Sequence, residues 1–308
     1  ANSLTQLRVS HRFTQDSGIG KLAAAVNAGQ FGQVQQSFAQ YNDIRCYSHL
    51  TAPFAKEVSE QAREAESAWQ QQVINGYSHY LKAIKQGESP YQVLQLFNEF
   101  QLLCALRQGS SGLQALNDRV QRLLQNRGLL SSDSQQGIGS THSSESSRWY
   151  VGRPVMISRN DYELNLFNGD IGIAMMVQGR GEGRGEGTAG GAKGKKELRV
   201  CFVSEDISAV SSAHSNAQRN VRQLLPTRLP AHETAFAMTV HKSQGSEFAD
   251  VALVLPDNYS PVISRELIYT AITRAKKSFS VYSNDEVLAA GVNSQIERAS
   301  GLRDLLFK

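Results

Sequence analysis

Thr234-Ala-Phe-Ala-Met-Thr-Val-His-Lys-Ser-Gln-Gly-Ser-Glu-Phe248 is the stretch on which the reading of this chain turns. A β-compatible run, Ala235 to Val240, stops at six mostly polar residues, and an apolar run, Val251 to Leu255, resumes soon after. The polar block therefore sits at a strand's end, where the loops of an open α/β sheet form the ligand crevice. Thr239, His241, Lys242, Ser243 and Gln244 supply hydroxyl, imidazole, ammonium and amide donors. Gly245 permits close backbone approach, and Glu247 can accept a hydrogen bond from a sugar hydroxyl. Such a set suits phosphate and nucleic acid, although taken alone it also reads as a polar turn before a strand.

A second block follows. Arg265-Glu-Leu-Ile-Tyr-Thr-Ala-Ile-Thr-Arg-Ala-Lys-Lys277 puts Leu267, Ile268, Ala271, Ile272 and Ala275 on one helical stripe, with Arg274 near the helix end. A single arginine there would serve equally well as a cap on the last carbonyls. Together, in this order and spacing, the two blocks resemble motifs V and VI of superfamily 1 helicases. That resemblance implies that the first block touches single-stranded DNA and the nucleotide ribose, with Gly245 and Glu247 on the nucleotide side. It also implies that Arg274 reaches the γ-phosphate as an arginine finger. Upstream, Leu4 to Val9 reads as a strand running into Ser10-His-Arg-Phe13, which is similar to motif IV of the same family. The resemblance makes Arg12 a second catalytic γ-phosphate contact, while a strand-end arginine is also a common structural feature.

Composition sets outer bounds. The 308 residues, 40% of them hydrophobic, are enough for two domains with real cores. A formal charge of +4 permits nucleic-acid binding without arguing for it, so affinity must come from local patches. Cys46, Cys104 and Cys201 are odd in number and far apart, and no histidine cluster has ligand spacing. Neither a disulfide framework nor a metal site is expected, and a reducing compartment is. No run of 18 apolar residues and no secretory leader are seen, so neither a membrane span nor export is expected.

In chain order, Asp16 and Ser17 can cap a helix to about Ala28 that Gly29 stops. Gly18-Ile-Gly-Lys21 within it lacks the spacing and the following hydroxyl of a phosphate loop. A helical pattern runs from Thr51 to about Gln86, with Trp69, Val73, Tyr77, Tyr80 and Leu81 as its apolar face. A short helix follows Ser89-Pro90 to about Phe100, Gln101 to Arg107 is strand-like, and Gly112 to Gln125 is amphipathic. Residues 131–147 collapse to a Ser-rich linker. Short strands come next, at Val155 to Arg159, Ile171 to Val177, Glu197 to Val203 and Ile207 to Val210, which suggests a small barrel. The Gly/Glu/Arg segment 179–196 reads as a loop whose cations brush DNA weakly. From Arg228-Leu-Pro230 the chain is expected to re-enter the main sheet, and Ser278 to Ser283 to form a last edge strand.

Gly152-Arg-Pro-Val-Met-Ile-Ser-Arg-Asn-Asp-Tyr162 and Phe167-Asn-Gly-Asp-Ile-Gly172 resemble the SH3-like insert of RecD-type helicases, although Asn168-Gly169 is also a plain tight-turn signal. The resemblance makes Arg159, Asn160 and Asn168 DNA contacts. It extends through Phe97 to Arg107 and Ser147-Arg-Trp-Tyr150, covering nearly the whole chain. The implied fold class is α/β: a RecA-like, P-loop NTPase-type second motor lobe, mostly parallel sheet flanked by helices, carrying an inserted SH3-like β-barrel. The implied domains are 1–147 and 232–308 for the lobe and 148–231 for the insert. No phosphate loop and no strand ending in Asp-Glu is found, so ATP and magnesium would be held with a first lobe preceding Ala1, and the chain alone would not hydrolyse ATP. The family implies an ATP-dependent DNA helicase, a 5'-to-3' translocase on single-stranded DNA. Its implied partners are the RecB and RecC subunits of exodeoxyribonuclease V, acting in double-strand-break repair and recombination. Two alternatives stay open: a non-catalytic single-strand or protein-binding module, and a related RNA or replicative helicase lobe.

Overall fold

The computed structural model describes residues 16–48, 59–131, 149–178, 196–204 and 221–295. The expected strand Leu4 to Val9, the Ser10–Phe13 block with Arg12, nearly all of both low-complexity segments and the strand Ile207 to Val210 lie outside them. The chain divides into two compact units. The described residues of the first fall within 1–68, 102–113 and 239–308, and those of the second within 69–101 and 114–238.

The first unit opens with α1 (Gly18–Asn27), α2 (Phe31–Gln40) and β1 (Ile44–Tyr47). Ser17 caps α1 by accepting from the Gly20 amide at 3.1 Å. An Asp43 carboxylate oxygen accepts from the Ile19 amide at 3.1 Å, so the first turn of α1 already holds its anion. Gly18 lies so close that a Cβ there would fall 2.2 Å from Asp43 Oδ1. Gly18-Ile-Gly-Lys21 is thus a helix start, as its spacing implied.

α3 (Glu60–Gln86) leads into the second unit, and α4 (Pro90–Phe97) carries Ser89 as its cap. β2 (Phe100–Cys104) and α5 (Leu113–Asn126) follow. Within the second unit Trp69, Val73, Tyr77, Tyr80 and Leu81 are all buried, so the aromatic stripe of α3 is core. Tyr77 stacks on Phe97 at 5.7 Å and meets Phe100 edge-on at 5.0 Å.

The second sheet is antiparallel. β3 (Pro154–Ile157), β4 (Ile171–Gln178), β5 (Lys196–Val203) and β6 (Val221–Leu224) precede a 3-10 turn at Pro226–Arg228 and then β7 (His232–Thr234). Their order is β6-β5-β4-β3-β7, with registers such as Ile173 opposite Cys201 and Val155 opposite Thr234. Val155, Ile157, Leu166, Ala174, Val200 and Phe202 form its core. Gly172 is required there, because a Cβ would stand 2.6 Å from the Phe202 ring.

After β7 come β8 (Ala237–Thr239), β9 (Phe248–Val254), α6 (Arg265–Ile272), β10 (Ala275–Tyr282) and α7 (Asp285–Asn293). The first sheet runs β1-β10-β9-β2-β8, and β10 pairs in parallel with both β9 and β1, Val281 lying opposite Leu253 and Cys46. The β9-α6-β10 segment is a crossover unit joining parallel neighbours.

Three expectations need correction. β10 lies inside the sheet, and the edge next to it belongs to β1, whose Arg45 and Cys46 hide the strand signal. The helix whose apolar stripe was expected to reach Ala275, with Arg274 near its end, stops at Ile272 with Thr273 as its cap, and Ala275 opens β10. Re-entry to the parallel sheet comes at Ala237, because β7 first pairs with β3.

Candidate functional site

The block Val240 to Glu247 follows β8 directly, and Phe236 and Ala237, where that strand begins, are held from the side. The Asn117 amide donates to the Ala237 carbonyl at 3.2 Å, and its oxygen accepts from the Ala237 N–H at 3.0 Å. Gln101 donates to the Phe236 carbonyl at 3.1 Å, and the Tyr77 hydroxyl donates to the same oxygen. A side-chain amide pairing both groups of Ala237 acts as a one-residue strand neighbour. At the end of β8 the Val240 N–H donates to the Cys104 carbonyl of β2 at 3.0 Å.

Tight turns shape the block itself. Lys242 N–H donates to Thr239 O at 2.9 Å, and Ser246 N–H to Ser243 O at 3.0 Å. Gly245 has a φ of 93°, in the left-handed region that favours glycine. His241, Gln244 and Gly245 are exposed and Lys242 is half-buried, whereas Thr239 and Ser243 are buried. The Ser243 hydroxyl donates to Val240 O at 2.7 Å, so it shapes the loop from inside.

Arg274 stands immediately after the cap of α6 and is buried, with 7% of its surface exposed. Its guanidinium reaches into the block: Nη1 donates to Ser246 O at 3.0 Å and to Ser243 O at 3.5 Å. Nε donates to Thr270 O at 3.2 Å, and Nη2 to Thr273 Oγ1 at 3.4 Å. One planar fork thereby ties the end of α6 to two carbonyls of the loop after β8. A second tie lies beside it, Lys276 Nζ to Glu247 Oε2 at 2.8 Å. The backbone joins in, the Phe248 N–H donating to Arg274 O at 2.9 Å. The two sequence blocks are therefore one structural object.

Arg159, Asn160 and Asn168 are exposed on the loop between β3 and β4. Asn160 Oδ1 accepts from the Asn168 N–H at 2.8 Å, which brings these two together. Sequence reasoning missed Asn117, Gln101 and Lys276. Lys276 was visible in the second block, one residue beyond Ala275, but only the strand geometry turns it toward Glu247. Asn117 looked like any polar position of an amphipathic helix.

The described residues hold no group of three or more His, Cys, Asp or Glu side chains suited to a metal ion. None of their helices is long and apolar enough to cross a membrane.

Residues 234–282 match the UvrD-like helicase C-terminal domain, which covers the loop after β8, α6 and β10 together. Over nearly its whole length the chain is similar to RecD subunits of the RecBCD enzyme. The Haemophilus influenzae subunit is 31% identical over 318 aligned residues, spanning 98% of this chain and 41% of that protein. The Mycolicibacterium smegmatis subunit is 29% identical over 99% of this chain and 44% of its own length. The ATP-dependent RecD2 DNA helicase of Deinococcus radiodurans is 28% identical over 58% of this chain and 19% of its own. The chain thus spans less than half the length of these relatives.

Proposed function

We propose that this chain is the second motor lobe of an ATP-dependent DNA helicase that moves 5' to 3' along single-stranded DNA in double-strand-break repair. One observation carries the reading: Arg274 grips the Ser243 and Ser246 carbonyls, so the residue suited to sense a γ-phosphate is bonded to the loop suited to hold DNA. The residues present fit one side of a nucleotide. Arg274 offers a fixed cation, Glu247 an acceptor for a ribose hydroxyl, and Gly245 exposed backbone. Arg12 is a second cation of the same proposal. ATP, bound with Mg2+ and a phosphate-loop lobe, supplies the phosphoryl group transferred to water. His241 and Gln244, exposed on the block, and half-buried Lys242 would contact the strand, with Thr239 and Ser243 setting the loop's shape beneath them. Arg159, Asn160 and Asn168 would add contacts from the second sheet, which we read as an SH3-like insert spanning 148–231, with 1–147 and 232–308 forming the lobe. RecB and RecC are the proposed partner subunits, in the bacterial cytoplasm.

Single-strand-stimulated ATP hydrolysis tests this directly, run on the 308-residue chain beside the full reading frame that contains it. Hydrolysis only by the longer protein is the expected result. Hydrolysis by the short chain, abolished in Arg274→Ala, would overturn the split-site account. Single-strand binding without hydrolysis by either protein would leave a binding module.

A further inference from the structure

We propose that Tyr162 and Phe167, on the loop between β3 and β4, form a stacking platform for unpaired bases of a single strand. The idea deepens the single-strand reading above and rests on it. Tyr162 is 78% exposed and Phe167 43%, and among the described residues no large hydrophobic side chain is more exposed than Tyr162. Their rings meet edge to face at 6.1 Å, with planes 77° apart. Two aromatic rings placed in water on one short loop forgo burial that each could have gained in a core.

The loop that presents them is built from many bonds. Asp161 and Leu166 exchange backbone hydrogen bonds of 2.7 and 2.9 Å, closing a small antiparallel bridge. Inside it, Asp161 Oδ1 accepts from the Leu164 N–H at 3.0 Å, and just after it Asp170 Oδ2 accepts from the Phe167 N–H at 2.7 Å. Leu166, 1% exposed, anchors the turn in the sheet's core, and Arg222 of β6 donates to the Leu164 carbonyl at 2.6 Å. The rings are held at the surface by a fixed frame, so little conformational freedom is lost when something stacks on them.

The rim decides what that something is. Asp161 and Asp170 direct carboxylate oxygens at backbone amides of the turn itself. Arg159, Asn160, Glu163 and Asn168 are exposed on the same loop; the formal charges of Arg159 and Glu163 cancel, and those of Asp161 and Asp170 remain. A loop with net negative charge, amide groups and bare π-faces repels a phosphate or an acidic peptide and suits an uncharged nucleobase.

Base stacking and phosphate contact differ in salt dependence, because only the second releases counterions. The test measures the Kd of the full-reading-frame protein for an oligo-dT strand and for an abasic strand of equal length, at two salt concentrations. Tyr162→Ala should weaken oligo-dT binding about 10-fold, within a range of about 5- to 100-fold for one stacked base. The same variant should leave abasic-strand binding unchanged, and its penalty on oligo-dT should be equal at both salts. Tyr162→Phe should bind like the parent, and Phe167→Ala should reproduce the loss. Equal loss on the abasic strand, or a penalty that shrinks with salt, would replace stacking by a backbone contact and overturn the proposal. Unchanged oligo-dT binding in both alanine variants would also overturn it, and loss of a partner subunit in that case would mark a protein-docking surface instead. A parent protein that binds no oligo-dT would sink the single-strand reading itself, which separates the two failures.

Discussion

The loop after β8 and the loop after β3 both present polar side chains to solvent, yet they are organised on different scales. In the first, the guanidinium of Arg274 bonds to carbonyls 31 and 28 residues back in the chain, and Lys276 reaches Glu247 beside it. In the second, Asp161, Asp170 and Asn160 bond within three, three and eight residues, and a longer tie comes from the same sheet, Arg222 of β6 donating to the Leu164 and Asn165 carbonyls 58 and 57 residues away. Long-range ties make a loop's shape conditional on another element, which is what a coupled motor part requires. A loop closed mostly by short-range ties, with its one strut drawn from its own sheet, keeps its shape as long as that sheet does, which suits a platform.

Arg274→Ala is the largest test of this contrast. Arginine fingers contribute about 10³-fold or more to turnover, so single-strand-stimulated hydrolysis by the full-reading-frame protein should fall by about that factor while strand binding persists. Amide exchange at 242–247 should speed up, because the Ser243 and Ser246 carbonyls lose their donor, and exchange at 161–170 should not change. Arg274→Lys should restore little, since an ammonium cannot reproduce the fork. Normal turnover in Arg274→Ala would remove the role assigned to it, and unchanged exchange at 242–247 would remove the tie between the blocks.

The same contrast explains how much could be read from the sequence. The loop after β8 was legible because its donors are contiguous, from His241 to Gln244, and because Gly245 stands where a positive φ is needed. The apolar strands β2 and β9 and the amphipathic α5 carried ordinary periodic signals, and the structure places them within a few residues of expectation. β1 did not, since only Ile44 of its four residues is buried and an edge strand need not alternate. α6 was overextended because Ala275 continues the apolar stripe of the helix, although Thr273 caps it and the chain then turns into β10. The inward turn of the Ser243 hydroxyl and the burial of Arg274 depend on tertiary packing, and no spacing rule encodes them.

A middle-sized effect probes the loop after β3. Asp161→Ala removes the acceptor for the Leu164 N–H and should cost about 1 kcal/mol of local stability. The visible consequence is faster amide exchange confined to 161–170, with exchange at 242–247 and hydrolysis on short strands left at parent values. Disturbance spreading from this substitution to the loop after β8 would break the comparison, because it would show the loop after β3 to be coupled as well.

The smallest expected effect separates the two ties in the loop after β8. Lys276 and Glu247 approach to 2.8 Å, but their side chains are 53% and 29% exposed, so water and salt screen much of the attraction. Exposed pairs of this kind contribute about 0.2–1 kcal/mol. Lys276→Ala should therefore leave the melting temperature nearly unchanged, and its effect belongs in substrate binding. If the pair holds Glu247 toward a ribose hydroxyl, KM for ATP rises about 2- to 5-fold with kcat unchanged, a free-energy loss within the range just given. Raising the salt concentration should erase the difference between variant and parent, and Lys276→Arg should keep the parent KM. A fall in kcat instead would mean that Lys276 acts on the Arg274 side of the loop, and the two ties would then be one coupled unit.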